Sequence, residues 1–181
     1  MRFEISYDER VWAVMPEPDA AADGLWIAEQ RMRFADGPFG AHLAAFEGAA
    51  REALARRRTG GVTSLFFRPE SVPATGVLHV GLVERRVDER EGALAWLPPG
   101  TTPRIDAAVA SFETRLVRRG QRIAYVSDRD AADGAPLAGL VYGLPLDDLT
   151  GYVVAEEAHS DVIGLMQAHA DAIVGSLKLV A

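Results

Sequence analysis

Between Val162 and Leu177 the residues Val162, Ile163, Met166, Ala170, Ile173, Val174 and Leu177, with His169 among them, recur at helical spacing. Steps of three and four residues put all of these on one wide stripe of a helix. A stripe of that width must be buried against another layer, and the preceding segment supplies it. Residues 137–144 and 152–155 read as strands, with Asp147-Asp148-Leu149-Thr150-Gly151 as the turn between them. Strands followed by a helix that folds back over them are the signature of an α+β layer structure. Ser160 or Asp161 is the expected N-cap. Lys178, the only lysine in the chain, is expected near the helix C-terminus.

The rest of the chain adds more strands and one more helix. Phe3, Ile5 and Tyr7 alternate with polar neighbours, and residues 11–15 continue in the same style until Pro16-Glu17-Pro18-Asp19 breaks them. Trp26, Ala28, Gln30, Met32 and Phe34 then alternate with Leu25, Ile27 and Glu29, which predicts another strand ending at Asp36-Gly37-Pro38. Pro38 suits the first position of a helix. Phe39, Leu43, Phe46, Ala50 and Leu54 carry a helical stripe over 39–58, stopped by Gly60-Gly61. Residues 63–67 and 77–83 are strand-like, the second extended by a charged tail through Glu91. The segment 94–116 is open to either reading. Val109, Phe112 and Leu116 have helical spacing, but Arg119-Gly120 separates β-like runs at 112–118 and 122–127, and a hairpin is preferred. The expected architecture is a single α+β domain: a mostly antiparallel twisted sheet packed with two main helices, 39–58 and 161–177.

Composition narrows the function. With 181 residues and 49% hydrophobic residues the chain can bury a core without staples. It has no cysteine, which removes disulfides, thiolate nucleophiles and cysteine-ligated metals. The net charge of -7 argues against a generic grip on nucleic acid or an anionic membrane. Arg51 and Arg56 to Arg58 form a local basic stripe without interleaved aromatics. No apolar run is long enough to span a bilayer, and the N-terminus lacks a signal-like apolar stretch, so the expected location is cytoplasmic.

The late strand GYVVAEEA, followed by SDVIGLMQAHADAIVGSLKLV, resembles the end of the Mog1/PsbP-like group of α/β/α sandwiches. The matching pattern is a late pair of strands, a terminal helix and a short apolar tail. The resemblance implies a non-enzymatic scaffold that binds a protein partner. It carries no functional residue to a position here.

Chemistry-bearing patterns are few. Asp128-Arg129-Asp130-Ala131-Ala132-Asp133-Gly134 begins like a calcium loop, but its glycine is one position late and Gly139 stands where the bidentate glutamate belongs, so it reads as a turn. His159-Ser160-Asp161 holds the residue types of a hydrolase triad, yet adjacent side chains diverge and no G-x-S-x-G elbow is present. The four histidines show no zinc-site spacing, and no metal, cofactor or catalytic set is expected. Four residues remain as binding candidates. His79 sits within an apolar strand; Arg68 and Glu70 flank Pro69 where a strand meets a loop; Trp96 precedes Pro98-Pro99-Gly100 at a loop mouth. Gly139, Gly143 and Gly151 suggest bulges or close backbone approach. The leading expectation is a non-catalytic protein-interaction or adaptor domain, with a protein partner or self-association through a sheet face or the terminal helix. The alternative is a small-molecule-binding protein or enzyme, with His79, Arg68 and Glu70 in a pocket between sheet and helix.

Overall fold

A computed structural model describes residues 1–37, 40–83, 92–147 and 149–180. In chain order its elements are β1 (Arg2–Glu4), β2 (Trp12–Val14), α1 (Ala20–Ala35), a 3₁₀ turn at Gly40–His42, α2 (Leu43–Arg56), β3 (Thr63–Phe67), β4 (Gly76–Val83), a 3₁₀ turn at Ala93–Trp96, β5 (Ala108–Phe112), β6 (Gly120–Asp130), β7 (Pro136–Pro145), β8 (Thr150–His159), α3 (Ser160–Ser176) and β9 (Lys178–Val180). Seven antiparallel strands make one sheet in the order β2-β3-β4-β8-β7-β6-β5, and β1 pairs with β9 in a second. This is the α+β, antiparallel architecture that the strand and helix patterns predict, with a third helix added.

That third helix is α1, and it corrects the strand expected over 25–34. Asp19 sits in extended backbone, and its carboxylate accepts the Ala22 N–H at 2.8 Å, an N-cap that starts the helix. Pro16 and Pro18 cannot prolong the ladder of β2. Alanine, leucine, glutamate, glutamine, arginine and methionine, all strong helix formers, predominate over residues 20–35. The buried set is Trp26, Ile27 and Gln30, a helical spacing; the alternation at 26, 28, 30, 32 and 34 is not the period the fold uses. The second helix is shorter than its expected 39–58. Gly40–His42 forms a 3₁₀ turn and α2 comes next, burying Phe46, Ala50, Ala53 and Leu54; Pro38 and Phe39 lie outside the described residues. The helix ends before the expected glycine stop: Arg57 turns to extended backbone at ψ 145°, and Gly60 and Gly61, at φ of 77° and 85°, instead turn the chain into β3.

Alternation along β3 divides the core. Leu65 and Phe67 point into one cluster with Leu78, Val80, Tyr142 and Leu144, covered by Ile163, Met166, Ala170 and Ile173 of α3. Phe66 points the other way, to Val77 and the α1–α2 side chains Trp26, Ile27, Phe46 and Leu54. Each buried valine, leucine, isoleucine, phenylalanine or methionine among them contributes about 1.5–3 kcal/mol relative to exposure. Helices therefore cover both faces. Further along the second face, Tyr125, Val141 and Val154 lie under Trp96, Leu97 and Ala107. Arg57 forks onto both carboxylate oxygens of Asp23, tying the end of α2 to α1 and holding the Asp23 carboxyl below its ordinary range.

Several boundaries shift for local reasons. The hairpin is present, but β5 ends at Phe112, where its first strand was expected to begin. Thr114 Oγ1 accepts the Leu116 and Val117 N–H groups at 3.2 and 3.1 Å, folding the expected strand into a turn. At α3 neither expected residue is the N-cap. β8 runs straight into the helix, so His159 takes that position without a side-chain cap, and Asp161 accepts the Val162 N–H instead. Lys178 lies just past the end of α3, as expected, and also opens β9, whose Leu179 stands opposite Phe3. The charged extension over 84–91 and Asp148 of the late turn lie outside the described residues.

Candidate functional site

His79 is the most enclosed polar side chain among the described residues, at 0% exposure. Strand register places it: Ser64 on β3 is its direct cross-strand partner, and Val154 on β8 is its partner on the other side. Ser64, His79 and Glu156 consequently share one face. Arg58 N–H donates to Ser64 Oγ at 3.0 Å, so the hydroxyl has its own proton to give His79 Nδ1 at 2.9 Å. Nε2–H is then the donor to Glu156 Oε1 at 2.9 Å, an oxygen that also takes Arg58 Nη2 at 3.4 Å. The His79 hydrogen bond, aided by the Arg58 and Arg56 charges, holds the Glu156 carboxyl below its ordinary range against the cost of burial.

A β-bulge sets the neighbouring carboxylate. Ala158 pairs with Ala138 and Ala155 with Leu140, so Glu156 and Glu157 together oppose Gly139 alone. Glu157 accepts from Arg129 at 2.7 Å and from the Tyr125 hydroxyl at 3.3 Å. Burial and the Glu157 charge push that phenol up to about 12. Both glutamates line a cleft of about 550 Å³ beside α2, over Phe66, Ala53 and Val77. Its carboxylates are committed: Glu52 to Arg56, Glu156 to His79 and Arg58, Glu157 to Arg129. Serine, histidine and glutamate are all present, but Ser64 is 4% exposed and its oxygen is shared between two partners. These contacts tie β3, β4 and β8 together as a clamp.

Arg68 and Glu70 lie past the end of β3 and form a different place. With Arg33, Phe34, Asp36 and Pro69 they line a cleft of about 350 Å³ between the end of α1 and the end of β3. His79 lines neither this cleft nor the one beside α2, so the pocket expected from all three residues does not form. Arg68 is 5% exposed; its Nη2 donates to the Glu9 carbonyl at 2.9 Å, while Nε is buried without a partner. Desolvation, with Arg33 nearby, pulls the Arg68 pKa below the ordinary guanidinium value.

Trp96 occupies a third place. Its indole covers Gly143 of β7 so closely that a Cβ there would overlap the ring. Gly139 lies under Tyr125 and Gly151 under Phe3 in the same way, the close approach their positions in strands suggest. Trp96 also borders a cleft of about 550 Å³ with Ser111, Phe112, Arg118 and Gln121 at the β5 end of the sheet.

The two edges of the sheet are unlike each other. β2 has three residues and runs into Pro16 and Pro18. β5 is exposed on both sides: Ala108, Val109 and Ser111 are exposed, Ala110 and Phe112 partly so, and no charged residue occurs from Ala107 to Phe112. Among the described residues β5 pairs only with β6. His159, from the triad-like triplet, turns toward Asp133 at 3.7 Å. The calcium-like segment is the end of β6, Asp128 to Asp130, and the β6–β7 turn after it, closed by Ala131 N–H to the Ala135 carbonyl. Sequence reasoning missed Ser64 and Glu156. The available signal was a polar residue of matching parity in each of two apolar strands flanking a strand histidine. No family model, curated protein or solved structure matches the chain.

Proposed function

We propose that this chain is a non-catalytic interaction domain that docks by strand addition along β5, with a second copy of the chain as occupant. The observation carrying the reading is the open edge. Exposed strand edges present unpaired N–H and C=O groups, and proteins ordinarily blunt them with short strands, proline, charge or a covering segment. β2 is blunted; among the described residues no proline, charge or covering strand blunts β5, with its run Ala-Val-Ala-Ser-Phe. Antiparallel pairing of two β5 strands about Ala110 is self-complementary, as a two-fold interface requires. It sets Val109 opposite Ser111 and brings no like charges into register. Backbone hydrogen bonds would supply the affinity of this mode. Two further features support the reading. Ser64 and His79 are buried and bonded to each other and, through His79, to Glu156, and the resemblance of the last third to the Mog1/PsbP-like group points to a protein-binding scaffold.

Sedimentation velocity across a concentration series tests it. The wild-type chain is expected to shift to a dimer as concentration rises, and Val109→Lys, an edge charge on an exposed residue, is expected to remain monomeric. A wild type that stays monomeric throughout, or a variant that dimerises equally well, overturns the proposal.

A further inference from the structure

We infer that the cleft between the end of α1 and the end of β3 binds a small amino-acid-type zwitterion, its carboxylate on Arg68 and its ammonium against the rim acids Asp36 and Glu70. This site lies at the end of the sheet opposite β5 and does not rest on strand addition.

Arg68 is the inner wall. It is only 5% exposed, yet one of the two Nη2 hydrogens goes to the Glu9 carbonyl and its Nε has no partner. A buried donor left unpaired is destabilising, and native proteins rarely keep one without a use. The guanidinium edge offers parallel N–H groups that match a carboxylate at two points, which a point charge does not. Phe34 and Pro69 add an apolar wall for a side chain. The rim decides the rest. Arg33 is already shared with Glu29 at 3.0 Å, and Asp36 and Glu70 are both exposed beside the opening. A dianion such as phosphate would face two like charges there, and a simple cation would face Arg68. A molecule carrying both charges a few bonds apart satisfies both sets. The cleft, about 350 Å³, falls within the roughly 300–1,000 Å³ of small-molecule sites, near the small end.

Titration calorimetry on the whole chain distinguishes the sources of the carboxylate, using free L-leucine, N-acetyl-L-leucine as the mimic of a peptide C-terminus, and L-leucinamide. Leucine is expected to bind, and each blocked analogue to bind at least about tenfold more weakly. The Asp36→Asn, Glu70→Gln double variant alters only exposed side chains. It is expected to weaken leucine about tenfold and leave N-acetyl-leucine unchanged. Arg68→Lys keeps the charge but loses the two-point fork, and is expected to abolish leucine binding. No saturable heat with leucine, equal binding of either blocked analogue, or no effect of the rim variant overturns the inference.

Discussion

Replacing Ser64 by alanine removes one oxygen and strands two groups. One is the Arg58 N–H, 3.0 Å away; the other is His79 Nδ1, 2.9 Å away. They are not equally costly. Arg58 is an exposed residue, so water can take over its N–H. His79 is at 0% exposure, so its nitrogen stays unpartnered. A buried polar group that loses its partner costs about 1–3 kcal/mol, so the expected loss is about 2 kcal/mol, dominated by the histidine. The assay is urea unfolding. With a slope of about 2–3 kcal/mol/M, the midpoint falls by roughly 0.7–1 M at unchanged slope. A second substitution sharpens the test. In Ser64→Ala, His79→Leu the stranded nitrogen is gone, and Glu156, partly exposed, can turn to Arg58 and water. Its destabilisation is expected to fall short of the sum of the single changes by about 1 kcal/mol. A single Ser64→Ala variant within about 0.5 kcal/mol of wild type, or strict additivity in the cycle, refutes the clamp.

The same contacts set further expectations. Gly143→Ala drives a Cβ into the Trp96 indole; it should cost about 1–3 kcal/mol and shift tryptophan emission as the ring is displaced. Asp19→Ala removes the N-cap of α1 and should cost about 1 kcal/mol, seen as a thermal midpoint lower by about 2–4 °C. The Glu156 carboxyl lies below its ordinary range in the fold, so its stabilisation is complete above that range and is lost as pH falls through the folded value. Glu156→Gln has no such group to titrate, and its stability should fall less than the wild type's between about pH 5 and pH 3 in parallel chemical denaturation; an unchanged acid limb contradicts this.

The strands and the terminal helix were legible because burial imposes a period that residues carry locally. The stripe of α3 and the alternation of β3 each point to the layer they contact. The segment 25–34 misled because Trp26, Gln30 and Phe34 satisfy both a two-residue and a helical count, and the deciding signal lay outside it, in Asp19 and the prolines. β9 was hidden because three residues carry no period; it exists through pairing with β1, from the far end of the chain. The candidate sites show the same limit. His79, Arg68, Glu70 and Trp96 were recognisable as polar or aromatic residues in unusual places. Their distribution among a clamp, a cleft and a lid over Gly143 depends on strand order β3-β4-β8-β7 and on α1 lying beside the end of β3, which no local spacing encodes. The bulge that sets Glu156 and Glu157 side by side is likewise a property of two strands, not one.

Hydrogen exchange of the β5 amides at low and high protein concentration tests strand addition at the backbone itself. If β5 pairs between copies, the peptide covering 107–112 exchanges rapidly when dilute and gains protection as concentration rises, while the enclosed β7 amides stay protected throughout. Exchange in that peptide that stays fast and independent of concentration would contradict it.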